Sequence, residues 1–269
     1  MSRLEGHCLD LRIKTLASSK GLHHHLGGCL SCIEILVAVF DVAETAGSQA
    51  RDFVVLSKGH AAIPYYHLLE ELGLVKAEDL RDLNQLGGIL LGHPCSVTAP
   101  RGVDFSTGSL GMGLSYGVGL AYALRLRRDL RKVFVIVGDG ELQEGVVWEA
   151  LLFLAQHRLD NICIVVDKNG LQTDGRTIDI VNIDRALDAL PSLGLTVHRC
   201  DGHDVHALRA AVTPPWSGPT VVIADTIKGC GVSFMENRVE WHSGVISDAD
   251  LERAMAELSA SKAMLASSL

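Results

Sequence analysis

The sequence predicts an α/β domain, doubly wound around a mainly parallel sheet with helices on both faces. Two observations carry this. Strand-like runs alternate with helical stretches, most clearly KVFVIV (132–137), a helix over Glu144–His157, and NICIVV (161–166); such alternation builds a parallel sheet. The runs are also apolar at consecutive positions, as strands covered on both faces require. With 269 residues, 48% of them hydrophobic, the chain can bury a large core without disulfide or metal staples. It shows no internal repeat, low-complexity segment or linker, and is read as one domain over 1–269.

The elements follow in order. Residues 4–17 read as an amphipathic helix, and a second helix covers about Cys29–Phe40 after HHHLGG. FVVL (53–56) is a short strand ending in SKGH. Residues 61–86 read as helical with a break near Gly73, and 87–107 as a Gly- and Pro-rich loop. Gly108–Arg128 reads as a long helix with a glycine-rich start. Two more strands fall near TVHRC and TVVIADT, and a last helix covers about Asp248–Leu265.

Several function classes are set aside by composition. A net charge of −8 argues against a general nucleic-acid binder. No run reaches the roughly 18 apolar residues of a membrane helix. The charged opening MSRLEGHCLDLRIK lacks the apolar core of a signal peptide, so a cytoplasmic location is expected. Seven scattered cysteines suit reduced thiols. Cys29 and Cys32 form a CxxC with no second pair, and read better as small buried helix residues than as a zinc or redox site.

The chemistry concentrates in VIVGDGELQEG (135–145), where a buried strand ends on an aspartate between two glycines. In open parallel sheets, ligands bind beyond the carboxyl ends of the strands. Asp139 stands at that end of one strand and Asn169, in VVDKNG, at that end of the next. A crossover connection makes both loops open on the same edge. Gly138 and Gly140 let a ligand approach the backbone. A carboxylate, an amide oxygen and nearby carbonyls are hard ligands that suit Mg²⁺ completed by phosphate oxygens. A plain βαβ turn with Asp139 as a helix cap is the simpler alternative; GDG, then 28 residues, then Asn, with a strand on each side, is the more specific pattern.

That spacing matches the thiamine diphosphate motif, and the chain resembles the N-terminal part of a transketolase. The resemblance runs from GGCLSCIEIL to WHSG through FVVLSKGHAA, LGHP, STGSLGMGLSYGVGLA, VGDGELQEGVVWEA, LDNICIVVDKNGLQTDG, DGHD and IADTIKGCGVSFMEN. It implies that Asp139, Asn169 and the carbonyl of Leu171 hold magnesium, and that Gly138 and Gly140 line the diphosphate. Gly108, Ser109 and Leu110 would give backbone contacts to the cofactor, with a helix beginning there that aims its positive end at the site. His25, His60, His93 and His242 match active-site histidines, which suit proton transfer and hydrogen bonding near neutral pH; His60 would also touch the cofactor. Glu144 would be a structural carboxylate beside the cofactor site at a subunit contact. His203 in DGHD is a secondary candidate.

Three positions depart from the family pattern. Leu26 stands where Pro is usual, Met112 where Gln is common, and Cys230 in KGCG where Lys is common near the substrate entrance. They bear on substrate preference and leave the metal pair untouched. The chain ends shortly after WHSG. The resemblance therefore implies the small subunit of a split transketolase, assembled as α2β2 with a separate C-terminal subunit that binds the pyrimidine ring. Such an enzyme moves a two-carbon ketol unit from a ketose or its phosphate to an aldose or its phosphate. VVWEALLFLA, apolar nearly all round, calls for burial on every side. Two other readings remain open: a subunit of another thiamine diphosphate-dependent two-carbon or acyl transferase in a specialised pathway, and a non-catalytic binding homologue.

Overall fold

A computed structural model describes residues 2–43, 51–99 and 101–267. Its central sheet has five strands: β1 (Phe53–Leu56), β2 (Val133–Gly138), β3 (Ile162–Lys168), β4 (Thr196–Asp201) and β5 (Thr220–Asp225). Their spatial order is β1-β2-β3-β5-β4, and every neighbouring pair is parallel. The order reverses between β3 and β5, which makes a crevice at their carboxyl ends.

Helices cover both faces, as expected for strands with no polar side. Along β2, Phe134 and Ile136 point into one core while Val133, Val135 and Val137 point into the other. The first core takes α1 (Arg3–Ser18), α3 (Ile33–Val42), α4 (Ala62–Glu71) and α7 (Val205–Val212). The second takes α5 (Met112–Leu126) and α6 (Gly145–His157). A third cluster joins α1, the short α2 (Leu26–Ser31) and α8 (Asp248–Ser267) to residues 232–246. Ser2 and Glu5 form a reciprocal capping box that starts α1.

Four elements differ from the sequence reading. The second helix is split at Cys32, which leaves helical angles (φ −106°, ψ 15°) while its thiol bonds back to the carbonyls of Gly28 and Cys29. The stretch 61–86 is not one broken helix: α4 ends at Glu71, Gly73 turns left-handed (φ 69°), and only Ala77–Arg81 is helical beyond it. The long helix starts at Met112 rather than Gly108, because Gly108 (φ 146°) and Gly111 (φ 80°) hold non-helical backbone. Finally, α6 is not buried all round: Val147, Ala150, Leu151 and Leu154 are buried, but Leu152 is 57% and Phe153 39% exposed. No helix among the described residues is long and apolar enough to cross a membrane.

Candidate active site

Strand register builds the floor of the site. Gly138 of β2 lies opposite Asp167 of β3, so both strands leave the sheet at the same level. Asp139 follows at once and is 3% exposed. Its oxygens accept the amides of Gly140 (2.9 Å) and Gly170 (2.6 Å), and no cationic side chain among the described residues bonds it. Burial, then the neighbouring Asp167 carboxylate, push its pKa up to about 6. A desolvated carboxylate held only by neutral donors favours an added cation.

The oxygen donors beside it fit magnesium. Asn169 donates Nδ2–H to Asp167 Oδ2 (3.2 Å), which leaves Oδ1 on the loop side, where it accepts the Leu171 amide (3.1 Å). The Leu171 carbonyl accepts from Lys228 Nζ (3.1 Å) and keeps a second lone pair. One carboxylate, one amide and one carbonyl make a hard but incomplete set. No group of three or more His, Cys, Asp or Glu able to hold a metal occurs among the described residues. The set therefore suits an ion that takes its remaining ligands from phosphate and water.

The walls bring most of the sequence-predicted residues into one cavity of about 250 Å³. His25, His60, His93, His242, Gly108, Leu110, Gly138, Asp139, Gly140, Asn169 and Leu171 all line it. Ser109 and Glu144 do not; both are exposed, and Glu144 precedes α6 with extended backbone (φ −74°, ψ 132°). Ring centroids of His25 lie 5.3 Å from His60, 5.9 Å from His93 and 5.4 Å from His242, and His60 lies 5.7 Å from His242. Burial is the first cause that lowers all of their pKa values, to about 4 for His25 and His242, and nearby cationic and imidazole neighbours add to it for His25, His60 and His242. The cluster is neutral at pH 7 and can donate and accept hydrogen bonds.

Sequence reasoning missed the charges beneath this cluster. Lys58 is 1% exposed; its ammonium donates to Asp167 and to the Gly28 carbonyl (3.0 Å). Asp167, fully buried, also accepts from Ser31 Oγ (2.6 Å) and Thr226 Oγ1. Against its burial, the Lys58 ammonium holds its carboxyl below the usual range. Glu141 accepts from Ser57 Oγ and from the amides of Gly111 (2.7 Å) and Gly138 (3.1 Å), so one carboxylate ties together β1, β2 and the start of α5. Burial raises its pKa against those bonds. The second ammonium, Lys228, is 1% exposed and has its pKa lowered to about 8 by burial and then by Lys58. The available signal was an acid or a lysine at the very end of an apolar run, in FVVLSK, NICIVVD and VVIADTIK.

Two further residues fall elsewhere. His203 does not line the cavity: its Nε2 accepts the Ile227 amide (2.8 Å), and Nδ1 faces Glu34 (3.1 Å), itself paired with Arg12 at 2.7 and 3.0 Å. It supports from behind the turn that carries Lys228. Cys230 is half-buried and does not line the cavity. The Cys29 and Cys32 thiols are fully buried and free, and burial pushes both pKa values up, to about 12 for Cys29.

Strand ends that bring a buried carboxylate without a cationic partner, an amide and a carbonyl into one cavity with two ammoniums and four imidazoles offer the groups that an anionic ligand needs. The chain belongs to the transketolase family: residues 17–264 match the model described as transketolase, thiamine diphosphate binding domain. That makes it part of a transferase enzyme whose cofactor is thiamine diphosphate. The chain is 39% identical over 255 residues to an apulose-4-phosphate transketolase subunit from Actinobacillus succinogenes, covering 92% of both proteins. It is 35% identical over 242 residues to the 6-deoxy-6-sulfo-D-fructose transketolase subunit SqwG of a Clostridium species, covering 87% of this chain and 88% of that one. Among solved structures, the transketolase of Campylobacter jejuni superposes with a TM-score of 0.83 at 25% identity, covering 95% of this chain and 42% of that one. The transketolase of Pichia stipitis in complex with sedoheptulose 7-phosphate gives 0.82 at 26%, with 96% and 40% covered. The chain thus spans about two fifths of the solved transketolases it matches.

Proposed function

We propose that this chain is the diphosphate-binding subunit of a two-chain transketolase, and that it holds Mg²⁺ through Asp139, Asn169 and the Leu171 carbonyl. The single observation that carries the reading is Asp139, buried to 3% exposure with only backbone amides for company, beside two further oxygen donors. When bound, thiamine diphosphate supplies the carbon that accepts and releases the two-carbon ketol unit. The chain's own residues do the rest. Gly138 and Gly140 leave room for phosphate oxygens beside the backbone. Lys58 and Lys228 set positive charge under the diphosphate. His25, His60 and His93 are neutral donors and acceptors that orient sugar hydroxyls and move protons while the ketose is cleaved and the aldose extended, and His242 adds a further hydrogen-bonding group.

A separate C-terminal subunit that binds the pyrimidine ring, in an α2β2 assembly, is the proposed partner. Relatives of matching length carry the word subunit in their names, which supports this. The same relatives act on a sugar phosphate and on a sulfo sugar, which supports a substrate with an acidic terminal group in a specialised pathway. The deciding experiment is calorimetric titration of thiamine diphosphate with and without Mg²⁺ on wild type, Asp139→Ala and Asn169→Ala. Loss of magnesium-dependent binding with an unchanged circular dichroism spectrum is expected in both variants. Wild-type affinity in either would sink the assignment.

A further inference from the structure

His242 meets two partners at once. Lys228 Nζ lies 2.8 Å from its Nδ1, and Thr173 Oγ1 lies 3.1 Å from its Nε2. An ammonium has three protons and no lone pair, so it can only donate. Nδ1 must therefore accept, and an imidazolium, which donates from both nitrogens, does not fit this contact. The single proton of the neutral ring is left on Nε2, where it donates to the Thr173 hydroxyl.

Lys228 is itself fixed. Its second hydrogen bond runs to the Leu171 carbonyl, two residues before Thr173. One short segment, 171–173, thus anchors the ammonium through a carbonyl and receives the imidazole N–H through a hydroxyl. The segment belongs to the hairpin of Leu171–Gln172 with Gly175–Arg176, and Thr173 is exposed while it lines the cavity. The other charged and titratable groups facing the ring are His25, His60 and Lys58, all buried or half-buried beneath it.

We propose that Thr173 is a positioning residue: with Lys228 it holds His242 as the Nε2–H tautomer, and it parks that N–H at the cavity mouth until a sugar oxygen replaces the threonine hydroxyl as acceptor. His242 then acts as a hydrogen-bond donor toward substrate and not as a base. The sugar as the incoming acceptor rests on the transketolase reading; the tautomer and the role of Thr173 do not.

The test is long-range proton–nitrogen NMR on the chain with ¹⁵N-labelled histidine, at neutral pH, without cofactor or turnover. His242→Gln identifies the signals. In wild type, His242 should show an unprotonated Nδ1 and a protonated Nε2. Thr173→Val should keep the proton on Nε2, because Lys228 still donates to Nδ1, but should shift the Nε2 resonance as its acceptor is lost, and Thr173→Ser should restore the wild-type pattern. Lys228→Met should give the larger shift. A proton on Nδ1 or on both nitrogens in wild type, or a Thr173→Val spectrum identical to wild type, would overturn the proposal. Failure of the transketolase reading would show separately, as absent magnesium-dependent binding of thiamine diphosphate.

Discussion

Asn169 donates its side-chain amide to Asp167, two residues earlier on the same strand end, at 3.2 Å. The carboxylate that receives it is buried to 0% exposure and pairs with Lys58. The orientation of one proposed metal ligand is therefore set by a buried ion pair that does not touch the metal.

Asp167→Asn should damage both stability and binding. It leaves the Lys58 ammonium buried without a counter-charge, which costs about 3–5 kcal/mol. It also leaves one acceptor oxygen in place of two for Ser31, Lys58, Thr226 and Asn169, which loosens the anchor of the Asn169 amide, and supporting groups of this kind are worth roughly 10–100-fold in affinity. Urea unfolding and calorimetry with Mg²⁺ and thiamine diphosphate measure the two effects. Unchanged affinity in a folded variant would show that Asn169 is oriented by other contacts.

Asp139→Asn should remove one pH dependence from the stability of the chain free of metal and cofactor. Asp139 has an ordinary value of 3.8 that burial and Asp167 raise to about 6 when folded. Between these values the folded state binds more protons, so stability is lost as pH rises through the window. His25 and His242 act in the opposite sense: lowered from 6.5 to about 4, they bind more protons when unfolded, and stability rises with pH across their window. The two contributions overlap, so the informative quantity is the difference between variant and wild type. Relative to the difference at low pH, the variant should gain at most about 3 kcal/mol on wild type by pH 7, at about 1.4 kcal/mol for each unit of raised pKa, on top of a constant cost for the amide that an Asn side chain cannot accept. The gain should vanish below about pH 4. Urea midpoints across this range check it, and a difference that does not change with pH would count against a strained carboxylate.

Gly28→Ala should strike one histidine selectively. A Cβ at Gly28 would meet Cδ2 and Nε2 of His60 at 2.9 Å, closer than carbon atoms normally approach. The ring has to move, and overpacking of this kind costs about 1–3 kcal/mol. The expected result is weaker cofactor binding with a small drop in melting temperature. Chemical shifts of the His60 ring in labelled protein would report the displacement directly; an unmoved ring would reject it.

Phe153→Asp should separate partner binding from folding. The Phe153 ring packs on His157 (4.2 Å) and Tyr122 (5.3 Å) at the surface, next to the exposed Leu152. The buried side of α6, with Val147, Leu151 and Leu154, is untouched by the change. A charge at the centre of an apolar contact costs at least about 2 kcal/mol of binding. Co-purification with the proposed second chain should fall more than tenfold, with the melting temperature nearly unchanged. Retained assembly would place the partner on another face.

Much of this architecture was legible because apolar runs and their spacing report sheet strands directly. The β2–α6–β3 unit and the strand ends at Asp139 and Asn169 follow from that reading, whereas the four histidines that line one cavity were marked only by the family resemblance. What stayed hidden was whatever depends on a residue far away in sequence. Lys58 pairs with Asp167 across 109 positions, and Glu141 reaches Ser57 across 84. No local pattern marks either. The start of α5 was misjudged because glycines that look like helix punctuation at 108 and 111 are there for positive φ beside the cavity. Lys228 lines the cavity while Cys230, two residues further on, does not, a difference that no local pattern marks.

The register of β2 against β3, with Gly138 opposite Asp167, has a consequence for how such sites are found and altered. The distance from Asp139 to Asn169 is measured across one rung of the sheet, while the 28 residues between Gly140 and Asn169 travel out through the 13-residue α6 and back. That count records the length of a detour. A crossover longer or shorter by whole helical turns would leave both oxygen donors where they are. A one-residue slip of the ladder would separate them with every motif letter intact.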